Sequence, residues 1–156
     1  MTDEILPFGL NIFAGGAAEY SDYYPEKSEE GPRIVLYVYL ANQKMPTPFI
    51  IDTGSPWCVL DPAEFEKMAD QADSIYDTSL NIRGESYDGR LYRLFICLTA
   101  VIGESLEVDA TVFVPELPAG DGWFHPNFIG LKGFLNRIRF AVDPESNLFF
   151  FGSSGE

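Results

Sequence analysis

The most constraining feature of this chain is an alternating apolar segment that returns on itself and ends in an acid. In residues 33–40, Ile34, Leu36, Val38 and Leu40 fall on one face of a strand, and Val35, Tyr37 and Tyr39 on the other. Ala41-Asn42-Gln43-Lys44 supplies a hairpin turn. The returning strand, Thr47-Pro48-Phe49-Ile50-Ile51, runs directly into Asp52-Thr53-Gly54-Ser55. Ile50 and Ile51 place Asp52 at the end of a buried strand. Gly54 lets the chain turn tightly, and the hydroxyls of Thr53 and Ser55 are able to orient a carboxylate or bond to a neighbouring loop. The pattern predicts a carboxylate on the floor of a cleft.

The rest of the chain reads as mostly β, with one or two short helices. Leu10-Asn11-Ile12-Phe13 is a strand candidate. Residues 14–32 carry Gly15-Gly16, Pro25, Gly31-Pro32 and a run of acids, which predicts a solvated loop. A helix is expected from Pro62, capped by Asp61, with Glu64 in its first turn. Phe65, Met68, Ala69 and Ala72 form its inward stripe. Residues 79–83 and 90–100 are expected as strands joined through 84–89, with Asp88-Gly89 as the turn signal. Leu106, Val108, Ala110, Val112 and Val114 mark a further half-buried strand. Phe128-Ile129-Gly130-Leu131, a helical turn over 132–136 and a hairpin pairing 137–142 with 148–151 complete the chain. The domain reading is an N-terminal strand and acidic loop over 1–32, one domain over 33–152, and a tail over 153–156.

Composition excludes several function classes. The chain has 156 residues, of which 46% are hydrophobic and 15% aromatic, enough for the core of one domain. Its formal net charge is −14, which opposes binding to nucleic acid or to an anionic membrane. Such a surface favours basic peptides, if anything. The longest apolar runs are strand length, and Met1-Thr2-Asp3-Glu4 is acidic where a signal peptide is basic, so a cytoplasmic location is expected. Cys58 and Cys97 then read as free, buried thiols. His125, the one histidine, lies in Phe124-His125-Pro126-Asn127 and reads as a solvated loop residue; Trp57 reads as core or subsite wall. No spacing suggests a metal site. Gly15-Gly16 and Gly152 do not form a phosphate cradle, so no cofactor is expected.

One carboxylate is a poor peptide hydrolase, whereas two that share a proton activate water and polarise the carbonyl together. Phe49-Ile50-Ile51-Asp52-Thr53-Gly54-Ser55, with Phe128-Ile129-Gly130-Leu131 and Phe134-Leu135 far downstream, resembles a retropepsin-like aspartic protease domain of the cellular, bacterial branch. Arg139-Phe140-Ala141-Val142-Asp143 and Phe149-Phe150-Phe151 resemble that family's closing hairpin. The likeness spans roughly residues 33–152. It implies a closed acid-protease barrel, Asp52 as catalytic residue, Thr53, Gly54 and Ser55 as its active-site loop, and Ile129, Gly130 and Leu131 crossing behind it. A flap is implied within 82–92, with Gly84, Tyr87 and Gly89 as its candidates.

No second Asp-Thr-Gly or Asp-Ser-Gly occurs; Asp77-Thr78-Ser79 is the nearest. The resemblance therefore implies a homodimer in which two copies of Asp52 meet, each Thr53 clasping the opposite loop, with a peptide or protein as substrate. Leu131-Lys132-Gly133 departs from the Arg-Asp or Arg-Asn that follows the glycine in viral members. Two alternatives stay open: a catalytically inactive peptide-binding or dimerisation domain of the same fold, and a β-barrel adaptor in which Asp52 is a turn residue.

Overall fold

The computed structural model describes the backbone of residues 6–8 and 11–14 and the whole of residues 15–25 and 31–154. Leu6–Phe8 (β1) and Asn11–Ala14 (β2) pair antiparallel. Leu10, the first residue of the expected strand, lies outside the described residues. Gly16–Glu19 (β3) follows, which corrects the expected loop over 14–32. Ala17 and Ala18 are small enough to bury flat against the core, and β3 pairs on both edges with strands from later in the chain. Glycines and acids around such a short apolar stretch hide it in the sequence. Tyr24 is buried as well: its hydroxyl donates to Pro48 O at 3.2 Å and accepts from the Asn127 N–H at 3.0 Å.

Val35–Leu40 (β4) and Thr47–Ile51 (β5) form the expected hairpin, with Leu36 opposite Phe49 and Val35 opposite Ile50. Both strands carry apolar residues on two faces that enter different cores, although Tyr37 of β4 is exposed. Leu36, Val38, Leu40 and Phe49 enter the main core, while Val35 and Ile50 enter a second cluster with Ile82, Phe113 and Phe128.

Cys58–Val59 (β6) leads to one α-helix, Pro62–Glu66 (α1), capped by Asp61, which accepts the Ala63 N–H at 2.8 Å. The helix is shorter than its stripe predicts. Phe65 and Met68 are buried, Ala69 is exposed, and Ala69–Gln71 is a separate 3-10 turn. Two large side chains at i and i+3 bury in a tight helix as well as in an α-helix, and alanine methyls offer too little apolar area to hold a second turn.

Asp73–Ile82 (β7) and Glu85–Leu98 (β8) form a long hairpin. Its turn is Arg83-Gly84, with φ of 51° and 89°, not the expected Asp88-Gly89. Both turn residues sit in the left-handed region that a two-residue hairpin turn needs. Asp88 and Gly89 lie inside β8, paired with Ser79 and Thr78. Ile102–Gly103 (β9), Leu106–Pro115 (β10) and Phe128–Ile129 (β11) follow. The expected helical turn over 132–136 falls later, as a 3-10 turn at Leu135–Arg137. Ile138–Asp143 (β12) and Leu148–Ser153 (β13) form the closing hairpin.

The order β10-β6-β11-β5-β4-β8 closes on itself because β8 also pairs with β10, giving a six-stranded barrel. β7 is the outer strand of the hairpin that leaves the barrel wall. A four-stranded sheet, β12-β13-β3-β9, packs its Phe149 and Phe151 into the main core. Both cysteines are free thiols, Cys58 buried and Cys97 only half-buried. Among the described residues, no helix is long and apolar enough to cross a membrane.

Candidate active site

Asp52 stands where β5 leaves the barrel, on backbone gripped from both sides. The Ile51 N–H donates to Ile34 O at 2.9 Å, and the Asp52 N–H donates to Ile129 O at 2.9 Å. β11 runs parallel to β5, Phe128 beside Ile50 and Ile129 beside Ile51. Beyond Asp52 the chain turns at once. The Ser55 N–H reaches Asp52 O at 3.0 Å, and the Gly54 N–H reaches Asp52 Oδ1 at 2.9 Å. The carboxylate thus fixes its own loop, as short acidic side chains do at turns. Ser55 Oγ donates to Trp57 O at 2.7 Å, so Ser55 braces the loop from inside.

Residues 129–131 cross directly behind this loop. The Leu131 N–H donates to Ser55 O and the Lys132 N–H to Pro56 O, both at 2.8 Å. A Cβ on Gly130 would lie 2.1 Å from Trp57 O and 2.7 Å from Ser55 O, so only glycine fits there. Lys132 departs from the viral pattern and rests its Nζ 5.6 Å from the centre of the Trp57 ring. Asp52 is half-buried, whereas Thr53 and Gly54 at the loop tip are exposed, as is Leu131 beside them.

Asp52, Gly54 and Ser55 line a cavity of about 410 Å³. Its roof is the tip of the β7–β8 hairpin, which contributes Asn81, Ile82 and Arg83, and its wall includes Arg33. The Gly84 N–H donates to Asn81 Oδ1 at 3.1 Å, which ties the tip to its own strand. The Arg83 guanidinium lies 5.3 Å from the centre of the Phe128 ring.

The architecture now has a counterpart among solved structures. No protein-family model matches this sequence, and no curated protein matches it either. In three dimensions the chain is similar to a retropepsin-like aspartic protease from Rickettsia conorii, with a TM-score of 0.53. The match covers 88% of this chain and 91% of that one, at 16% sequence identity. The fold is retropepsin-like.

Within that fold the other flap residues named from sequence lie away from the cleft. Tyr87 belongs to β8 opposite Leu80. Its ring meets Trp123 at 5.0 Å and His125 at 5.7 Å, and its hydroxyl lies 3.0 Å from His125 Nε2. Desolvation, then the Glu85 carboxylate, raises the Tyr87 phenol above its ordinary value. His125 is therefore half-buried in an aromatic cluster rather than solvated, because Trp123 fills the second core beneath it. Gly89 is buried where β8 crosses β10, and a Cβ there would lie 2.4 Å from Val114 O. Tyr87 thus braces the hairpin three pairs below its turn and Gly89 lets it lie against β10, while Gly84 lies at its tip.

Sequence reasoning placed Arg83 within the flap segment 82–92 without naming it as a site residue, and it missed Arg33 and Asn81 on the cleft and Asn127, which anchors β5. Asn127 is buried; its Oδ1 accepts the Asp61 N–H at 2.8 Å, its Nδ2 donates to Pro48 O at 3.1 Å, and its carbonyl accepts the Ile50 N–H at 2.9 Å. Only the Arg83-Gly84 pair carried a usable signal, since a glycine between alternating segments marks a turn, though less strongly than Asp-Gly does. Burial pushes the Cys58 thiol up to about 12, so it remains a protonated core group and not a nucleophile. Among the described residues, no three His, Cys, Asp or Glu side chains gather as a metal site.

Proposed function

We propose that this chain is an aspartic endopeptidase that works as a homodimer, with Asp52 of each copy forming the catalytic pair. The single observation that carries this reading is the placement of Asp52, the one Asp-Thr-Gly acid, on the floor of a roofed cleft. One carboxylate on that floor needs a second, and the exposed Thr53-Gly54 tip with the exposed Leu131 beside it offers a surface for another copy. The retropepsin-like fold supports the same assembly.

The chemistry follows from the shared proton. The ionised Asp52 takes a proton from water as the water oxygen attacks the scissile carbonyl. The protonated Asp52 gives its proton to the carbonyl oxygen. The tetrahedral intermediate then collapses: one of its hydroxyls returns a proton to the ionised Asp52 as the carbonyl re-forms, the C–N bond breaks, and the leaving nitrogen takes the proton of the other Asp52, so the pair again holds one proton. The Gly54 N–H on Oδ1 holds the carboxylate in one orientation throughout. A peptide would lie extended beneath Asn81, Ile82 and Arg83, with its backbone beside the hairpin. The free thiols of Cys58 and Cys97 fit a reducing compartment such as the cytoplasm.

The test is turnover of a mixed peptide library by wild type and by Asp52→Asn, with light scattering on both. The variant is expected to lose about 10³-fold in rate while remaining a dimer. Equal cleavage by both proteins, or a wild type that stays monomeric while cutting, overturns the assignment.

A further inference from the structure

We propose that Tyr24 and Asn127 are positioning residues for Asp52, acting as one hydrogen-bonded unit that fixes where β5 delivers the carboxylate. The inference rests on the endopeptidase reading for its effect on catalysis, though not for its effect on the placement of Asp52.

Burying an amide or a phenol costs free energy unless its polar atoms are bonded. Asn127 is 3% exposed and Tyr24 5% exposed, and both reach the same residue of β5. That residue is Pro48, four positions before Asp52, whose ring leaves it no N–H to give the sheet. Its carbonyl accepts two donors, Tyr24 Oη at 3.2 Å and Asn127 Nδ2 at 3.1 Å. The Asn127 carbonyl accepts the Ile50 N–H at 2.9 Å, and its Oδ1 accepts the Asp61 N–H at 2.8 Å. The Asn127 N–H in turn donates to Tyr24 Oη at 3.0 Å. One phenol and one amide thus tie together two points of β5, the start of β11 and the cap of α1. Burial pushes the Tyr24 phenol up to about 12, so it stays a donor at neutral pH.

The tie matters because β11 is two residues long. Phe128 and Ile129 run parallel beside Ile50 and Ile51, and the Asp52 N–H donates to Ile129 O at 2.9 Å. So short a parallel pair carries too little bonding to fix its own register. Asn127 immediately precedes it and sets where β11 begins, and hence where Ile129 O meets Asp52. The cavity is lined by Ile50, Ile51 and Phe128, and by neither Tyr24 nor Asn127. A disturbed unit therefore reaches the cleft through the strands. It moves the carboxylate and removes no contact with a peptide.

The experiment centres on Tyr24→Phe, which keeps the ring and leaves the buried Asn127 N–H without its acceptor. On a quenched fluorescent peptide, kcat is expected to fall about tenfold with KM within twofold of wild type. Asn127→Ala removes both side-chain bonds and should cost about 10²-fold in kcat. A second arm measures amide hydrogen exchange, which needs no turnover. In Tyr24→Phe, protection of Ile50, Ile51 and Asp52 should fall about tenfold while β12 and β13 keep theirs. Phe149→Leu, buried in the closing sheet, is the stability control and should lower Tm without that local loss. Protection lost evenly across the molecule, or kcat unchanged in a Tyr24→Phe that cleaves, overturns the inference and leaves the endopeptidase standing. Local loss of protection with no cleavage by wild type supports the placement of Asp52 by Tyr24 and removes the endopeptidase. No cleavage and no local loss overturns both.

Discussion

Asp52 sits on backbone that is hydrogen-bonded on both sides, whereas the Arg83-Gly84 turn above it is exposed, with the Gly84 N–H bonded to Asn81 of its own strand. Below, the backbone of Ser55 and Trp57 leaves no space for a single added carbon at Gly130. Above, a Cβ added to Gly84 meets nothing within 4 Å. A reacting carboxylate must be held to a fraction of an ångström, while a cover that admits a polymer must yield. The difference between floor and roof is therefore what this fold would contribute to the proposed site.

The sharpest way to break that comparison is Gly130→Ala. The new methyl would lie 2.1 Å from a backbone oxygen of Trp57, and backbone cannot swing aside as a side-chain end does. Either the Asp52 loop or β11 must move. The expected cost is about 3 kcal/mol or more, with loss of peptide turnover, read by thermal unfolding and library cleavage. An unchanged Tm with full activity would show that the floor is not rigid.

Alkaline titration probes the same floor more gently. Burial pushes the Cys58 thiol from its ordinary 9.0 up to about 12, opposed in part by the Gly130 backbone. Burial likewise pushes the Tyr24 phenol from 10.0 up to about 12, opposed in part by the Asn127 backbone. Both groups prefer to stay protonated when folded, so the unfolded chain releases its protons first. Stability is therefore full below pH 9.0, where both ordinary values still lie above, and falls as pH rises toward about 12. The loss for the two groups together should be about 3 kcal/mol near pH 10.5, from about 1.4 kcal/mol per unit. Cys58→Ala and Tyr24→Phe should each flatten the decline in Tm between pH 9 and 11. A Tm that stays level over that range in wild type contradicts the burial of these groups.

The floor was legible in the sequence because its logic is local. Phe49 to Ser55 carries its own signal, an apolar strand ending in an acid and a glycine, and Gly130 follows an apolar pair that can only lie inside. The roof was not legible, since hairpin register depends on pairing between strands. Asp88-Gly89 has the stronger turn composition, yet Leu80 and Ile82 bury only if the turn falls at Arg83-Gly84. β3 was hidden for a related reason: Ala17 and Ala18 carry little apolar area, and their burial depends on strands more than 80 residues away, Phe149 and Phe150. The Asn127 anchor was hidden because a buried amide differs from a loop amide only in its partners. Arg33 and Arg83, far apart in sequence, become one feature only when the barrel closes.

The smallest expected effect falls on the roof itself. Gly84 has φ of 89° and open space around it, so Gly84→Ala meets backbone strain and no steric clash. The strain is worth about 1 kcal/mol, which for a chain of this size lowers Tm by roughly 2–4 °C. Gly84→Asn should recover most of that loss, because asparagine tolerates the left-handed region. Catalysis is the finer readout. A stiffened or displaced tip shifts Asn81 and Arg83 against the peptide, so KM should change more than kcat. If Gly84→Ala instead costs as much stability as Gly130→Ala, the roof is built as tightly as the floor, and the contrast between them is wrong.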